Sequence, residues 1–233
     1  MTPFYRRFPY TGKMDLFKLD PRGAYSPVEP FFYSRVPKAA NTTITQLLHE
    51  QTSYRPPKAR RVNPKYQFQR PLFMSKDEVK RLDDEAFKFT FVRNPYSRVL
   101  SAFLDKVGRR RHQGLRFLAW ADRHGQPQNF LGFCRYLEAG GLYLDMHCPP
   151  QVHILCIPLD RFDFIGHVET LDDDLQLVFR KVFGTQAPQQ AVRAGTATGA
   201  NTQLTEHYGE EEQGIVNRLY ADDFERLGYD HHL

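Results

Sequence analysis

The sequence predicts an α/β fold with a mainly parallel central sheet, on three observations. Apolar strand-like runs alternate with segments of helical period along most of the 233 residues. Two of those runs, residues 31–36 and 87–92, pass through a turn into an amphipathic helix. In each turn a basic residue, Lys38 or Arg93, stands where a strand ends, and sheets of this class bind ligands beyond the carboxyl ends of their strands.

Phe31, Phe32, Tyr33 and Val36 suit a buried strand, and Pro37 ends its ladder because it has no N–H to donate. The loop Lys38, Ala39, Ala40, Asn41, Thr42 and Thr43 has small residues that let the backbone turn closely round a ligand. Thr42 and Thr43 are expected to cap the next helix, whose Ile44, Leu47 and Leu48 share a face. Unpaired N–H groups, the helix dipole and the Lys38 ammonium together describe an anion site for phosphate or sulfate. The pattern G-x-x-x-x-G-K-[ST] is absent, since the lysine precedes the turn.

The length suits one domain with a substantial core. Residues 1–30, rich in aromatics, proline and glycine without a period, are expected to form an irregular arm, and 31–233 the folded domain. Hydrophobic content of 41% and charged content of 25% are ordinary for a soluble globular protein. The net charge of +5 is laid out unevenly, with basic residues gathered in 55–70 and 106–116 and acidic ones in 206–230, which favours a local anion groove over a uniform basic coat. Cys134, Cys148 and Cys156 show no CxxC spacing, so neither a disulfide framework nor a zinc knuckle is expected and a reducing compartment is preferred. Without a membrane-length apolar run or a signal-peptide core, the chain is expected to be cytoplasmic, with no stable membrane insertion. No metal-ligand constellation is visible, and oligomeric state is not encoded legibly.

Further along, 51–70 reads as a long proline-containing basic loop, and Ser75 with Glu78 as a capping box opening a short helix through Leu82. Phe87, Phe89 and Phe91 alternate with Lys88 and Thr90 in a strand; 97–107 resumes as a helix. Arg93 with its planar fork of donors and Ser101 with its hydroxyl suit one anion, which Arg98 can join. Helical pieces follow at 115–120 and 130–137. A compact loop over 144–151 places His147 beside Asp145 and a Pro-Pro stop, before expected strands at 152–157 and 162–168. Thr170, Asp172 and Asp173 open a helix carrying Leu171, Leu175, Val178, Phe179 and Val182; 184–205 reads as a loop and 210–228 as one closing helix.

With these residues in view, RVPKAANTT at 35–43 resembles the 5′-phosphosulfate-binding loop of sulfotransferases, and VRNPYSRVLSAF at 92–103 resembles their 3′-phosphate-binding segment. DMHCPPQ at 145–151, DFIGHVETLDDDL at 163–175 and LYADDFERLGYD at 219–230 resemble the carbohydrate sulfotransferase branch, so five stretches match in order. One departure is Cys148, where that branch usually has Trp after the histidine. The resemblance implies a single P-loop-like, three-layer domain. It also implies 3′-phosphoadenylyl sulfate (PAPS) as co-substrate with no metal, and a hydroxyl acceptor, most naturally a glycan. On that reading Lys38 and the loop from Ala39 to Thr43 hold the phosphosulfate, while Arg93 and Ser101 hold the 3′-phosphate. His147 is the first candidate for general base, with His49, Glu50 and Glu169 as alternatives. Arg193 lies where relatives fold a loop over the nucleotide. Two other classes stand beside it: a P-loop kinase, which the absent G-K-[ST] disfavours, and a basic nucleic-acid-binding module, which leaves Lys38 unexplained.

Overall fold

The structure is a computed structural model that describes residues 1–56, 63–188 and 199–233. In chain order the elements are α1 (Pro3–Arg7), α2 (Leu16–Leu19), β1 (Gly23–Ser26), β2 (Phe31–Ser34), α3 (Asn41–Gln51), α4 (Lys76–Glu85), β3 (Phe87–Val92) and α5 (Pro95–Phe103). Then come α6 (Leu115–Arg123), α7 (Phe130–Glu138), β4 (Phe164–His167), α8 (Leu171–Phe183), α9 (Leu204–His207), α10 (Glu210–Leu219) and α11 (Ala221–Leu227). The chain forms two compact units. The first runs from Met1 to Val92 and resumes at Ile154; the second runs from Arg93 to His153 and holds the described residues from 199 onward.

The first unit contains a four-stranded sheet in the order β1-β2-β3-β4. β2, β3 and β4 are parallel, with Ser34 opposite Thr90 and Val92 opposite His167, while β1 pairs antiparallel on the edge. This is the mainly parallel α/β sheet expected. On one face Phe31, Tyr33, Phe89 and Phe91 pack with Ile44, Leu47 and Leu48 of α3 and Leu175, Val178 and Phe179 of α8. The Tyr33 and Phe89 rings stack 5.0 Å apart, as offset aromatic pairs prefer. Over the other face Phe4 of α1 lies 5.5 Å from Phe32, and Ser34 Oγ accepts the Cys156 N–H at 3.0 Å. The unit therefore has three layers.

Covering both faces explains one departure from the sequence reading. The phase of β3 is as expected, but its polar side is not solvated. Lys88 is buried, with Nζ donating to the Ala86 carbonyl at 2.8 Å and pairing with Asp163 at 3.3 Å, because a parallel strand is enclosed on both sides.

Other expectations are corrected outright. Residues 1–30 are not irregular: α1, α2 and β1 lie there, each too short for a period to show. Residues 152–157 are not a strand but begin in a 3₁₀ turn, Gln151–Ile154, because side chains take the N–H groups that a ladder would need. The closing helix breaks at Tyr220 into α10 and α11. The capping box forms with both bonds, Ser75 N–H to Glu78 and Glu78 N–H to Ser75. Of the basic loop 51–70, residues 57–62 fall outside the described residues; its far end bridges Gln69 to Tyr25.

The second unit is helical. α5 opens on Asn94, whose Oδ1 accepts the Tyr96 N–H at 3.0 Å, with Pro95 in the first turn where its missing donor costs nothing. It leads into a π-helical turn, Leu104–Gly108. Tyr96, Val99, Leu100, Phe133, Tyr220 and Phe224 are among the residues of its apolar core. Among the described residues, no helix is long and apolar enough to cross a membrane.

Gly166 of β4 sits directly against a core ring: a Cβ there would lie 2.5 Å from Phe91 Cε1. Phe91 is fully buried, so it has no room to yield. Gly166→Ala is expected to destabilise the protein by about 1–3 kcal/mol in urea denaturation, against the few tenths gained when glycine is replaced at an open position.

Candidate functional site

Beyond β2 the chain turns tightly, the Ala39 N–H reaching the Val36 carbonyl at 3.4 Å. Lys38 (φ 69°) and Ala40 (φ 49°) adopt left-handed conformations, while Ala39 between them does not. Alternating φ sign in successive residues directs successive N–H groups to one side, the backbone geometry of an anion-binding concavity. The Ala40 conformation also starts α3 at Asn41, with the Ile44 N–H bonded to the Ala40 carbonyl at 3.1 Å. Thr42 and Thr43 are therefore first-turn residues and not caps, which corrects the sequence reading. Ala40 offers no side-chain cap, so the dipole end of an 11-residue helix opens on the Lys38 turn.

Asn41 and Thr43 are buried, and Asn41 Oδ1 accepts from Thr45 Oγ1 at 3.0 Å, which orients the Asn41 amide. Before the turn, Arg35 is 3% exposed; its guanidinium holds the Pro21 and Arg22 carbonyls. Burial, then the neighbouring Arg22 charge, lowers its pKa to about 10, which leaves it cationic at neutral pH.

The Arg93 turn follows β3, the parallel neighbour of β2, and belongs to the second unit. Arg93 Nε donates to Ser97 Oγ at 2.9 Å, and its Nη2 donates to Asn201 Oδ1. Ser101 lies one turn beyond Ser97 on α5 and is buried. Arg93 thus belongs to a polar set with Ser97 and Asn201, at the start of the helix that carries Ser101. Ser97 was within reach of sequence reasoning as the i−4 neighbour of Ser101; Asn201, 108 residues from Arg93, was not.

The Arg93 main chain is held too. Its N–H donates to Gln151 Oε1 at 2.9 Å, and its carbonyl accepts from Gln151 Nε2 at 2.8 Å. Asp223 in turn accepts the Gln151 and Val152 N–H groups at 2.8 and 3.0 Å, and Arg98 Nη1 donates to the Pro149 carbonyl at 2.8 Å. Gln151, Asp223 and Arg98 are each fully buried. Burial pushes the Asp223 carboxyl up, opposed by the Arg98 charge and the two N–H donors. Arg98 is therefore a structural cation behind the turn.

His147 Nδ1 lies 2.5 Å from Asp145 Oδ1, which also accepts the His147 N–H at 2.9 Å. A carboxylate on Nδ1 fixes the tautomer in which Nε2 carries the basic lone pair. Burial raises the Asp145 pKa, but the His147 hydrogen bonds and the Lys106 charge outweigh it and hold the carboxyl below its ordinary range.

The alternatives are built differently. His49 has a buried Nδ1 without a hydrogen bond, and burial, then the Arg55 charge, lowers its pKa. Glu50 is exposed and accepts from Gln46 at 2.8 Å; Glu169 is exposed on a 3₁₀ turn. The basic run 106–116 is partly neutralised, since Lys106, Arg109 and Arg111 all lie within 3.9 Å of Asp105. Arg193 lies outside the described residues. Among the described residues no group of side chains is arranged to hold a metal ion.

Two stability measurements check this geometry. Ala40→Gly removes the Cβ penalty of the left-handed conformation and is expected to stabilise the protein by about 1 kcal/mol in urea denaturation. Asp145 has a depressed folded pKa, so its stabilisation is complete above its unfolded value of about 4 and is lost as pH falls through the lower folded value. Asp145→Asn is therefore expected to cost about 1 kcal/mol at pH 7 and progressively less as the pH falls below about 4.

The profile of the Sulfotransferase family matches residues 22–230. Carbohydrate sulfotransferase 10 of Gallus gallus is 27% identical over 183 residues, covering 66% of this chain and 50% of that protein. Carbohydrate sulfotransferase 14 of Mus musculus is 32% identical over 118 residues, 46% of this chain and 31% of that protein. Carbohydrate sulfotransferase 10 of Homo sapiens is 29% identical over 177 residues, 65% and 49% respectively. The chain spans about half the length of the first and third of these relatives and about a third of the second. No solved structure matches it significantly. With the match extending from the edge strand to the end of the last helix, the chain belongs to the sulfotransferase family.

Proposed function

We propose that this protein transfers the sulfuryl group of PAPS to a hydroxyl of a carbohydrate acceptor. The observation that carries the reading is the Lys38 turn: a lysine, a concavity of backbone N–H groups and a helix N-terminus at the carboxyl end of a parallel strand, in a chain of this family. The names of the similar proteins support a sugar acceptor.

In this proposal the N–H groups from Ala39 to Thr43 hold the phosphosulfate. The acceptor oxygen attacks sulfur in line, forming a new S–O bond as the bond between sulfur and the bridging phosphate oxygen breaks. Lys38 neutralises the charge developing on that leaving oxygen, and His147 Nε2 takes the acceptor proton while Asp145 stabilises the imidazolium. Adenosine 3′,5′-bisphosphate departs. Arg93 and Ser101, with Ser97 and Asn201 aligning the guanidinium, hold the 3′-phosphate and so distinguish PAPS from ATP.

Two measurements test the assignment. Lys38→Ala is expected to lower kcat in a PAPS-dependent assay by about 10²–10³-fold, and His147→Ala by about 10²–10⁴-fold with donor affinity kept; near-normal turnover in His147→Ala would remove histidine from the base role. In thermal shift, adenosine 3′,5′-bisphosphate is expected to stabilise the protein more than ATP with magnesium. The opposite order would point to a kinase.

A further inference from the structure

We infer that Gln151 is a positioning residue for recognition of the 3′-phosphate, setting the direction of Arg93 by binding its main chain on both sides. The inference rests on the donor reading proposed above. It starts from where the sheet ends: the β3–β4 register closes at Val92 opposite His167, and Arg93 is the next residue. Beyond the last rung, a residue's N–H and carbonyl have no strand to pair with and its φ and ψ are free to drift. Gln151 meets both groups with one side-chain amide, accepting at 2.9 Å and donating at 2.8 Å, as a neighbouring strand would. A glutamine amide carries an acceptor and a donor side by side on one planar group, the spacing at which a strand presents them.

The amide is itself fixed. The Gln151 N–H and the next N–H both end on the Asp223 carboxylate, and Asp222 Oδ2 takes His153 Nε2 at 2.7 Å, so the first turn of α11 clamps the 3₁₀ turn that carries Gln151. Tyr143 closes the other side, its hydroxyl 2.7 Å from His153 Nδ1. Burying an aspartate, an arginine and a glutamine completely is expensive, and apolar residues of equal volume would hold a helical core together as well. What they would not supply is two hydrogen bonds of fixed direction on the Arg93 backbone, from which the guanidinium is aimed along Ser97 and Asn201. Contact with substrate is not required of Gln151, whose side chain is buried.

The test compares binding of adenosine 3′,5′-bisphosphate and AMP, which differ by the 3′-phosphate alone, in the unmodified protein, Gln151→Leu and Gln151→Glu. Calorimetry gives the affinities and amide hydrogen exchange reads the Arg93 N–H. The unmodified protein is expected to prefer the bisphosphate. Gln151→Leu is expected to reduce that preference about tenfold or more, with AMP affinity unchanged and Arg93 exchange accelerated. Gln151→Glu keeps the acceptor for the N–H but sets a carboxylate oxygen against the carbonyl, and it is expected to lose part of the preference. It carries the comparison if the leucine variant fails to fold. Full preference in the variants would overturn the inference, as would equal loss for both nucleotides. An unmodified protein indifferent to the 3′-phosphate would instead overturn the donor reading, and this inference with it.

Discussion

Parallel pairing of β2 with β3 is the constraint on which the first unit depends. Because Phe31 lies opposite Phe87 and Ser34 opposite Thr90 in the same sense, both strands present their carboxyl ends at one edge of the sheet. The Lys38 turn begins four residues after Ser34, and β3 runs out at Val92. Parallel strands must be covered on both faces, and here they are, by α3 and α8 on one side and α1 on the other. The cost of that enclosure falls on polar groups near the strand ends, which must find partners without water. Thr90 Oγ1 donates to the Ser34 carbonyl at 2.8 Å, and the Ser34 hydroxyl accepts the Cys156 N–H. These bonds pin the ends of β2 and β3, from which the Lys38 and Arg93 turns depart.

Each basic turn is held by a different device. The Lys38 turn stores backbone strain: left-handed φ at Lys38 and Ala40 costs on the order of 1–2 kcal/mol per residue and survives because β2 and α3 are both anchored in the core. The Arg93 turn is held by buried polar bonds instead. Both devices fix the direction of the donors at their turn, which is what the proposed anion sites would need. For a reaction whose barrier is dominated by charge moving onto a leaving oxygen, donors that need no reorganisation are the main resource a protein has.

Much of this was readable in the sequence where the interaction is local. β2, β3, β4 and α8 follow from apolar period, the α4 capping box from two residues three apart, and the proximity of His147 to Asp145 from a spacing of two. Contacts distant in sequence were not readable. The apolar run after Gln151 looked like a strand because it is buried, yet its N–H groups are taken by Asp223, about 70 residues on, and by Ser34. The last helix looked continuous because its apolar period carries across Tyr220, where the backbone leaves helical geometry and the hydroxyl reaches the Cys148 carbonyl. DMHCPPQ and LYADDFERLGYD stood out as stretches, but only the fold shows that Gln151 from one meets Asp223 from the other.

Among the four candidate bases the structure separates the histidines by what lies behind the ring. A general base becomes an imidazolium, and in a partly buried place that charge is tolerable only with a counter-charge in hydrogen-bond contact. His49 has the reverse environment: its inner nitrogen is buried without a bond, and burial with the Arg55 charge opposes protonation. His147 has the Asp145 carboxylate on Nδ1, and that carboxylate stays ionised because hydrogen bonds and Lys106 offset its own burial. The anion that orients the ring thus also compensates the charge the ring acquires. Under the proposed reaction these surroundings suit His147 better than His49 to the acceptance of a proton.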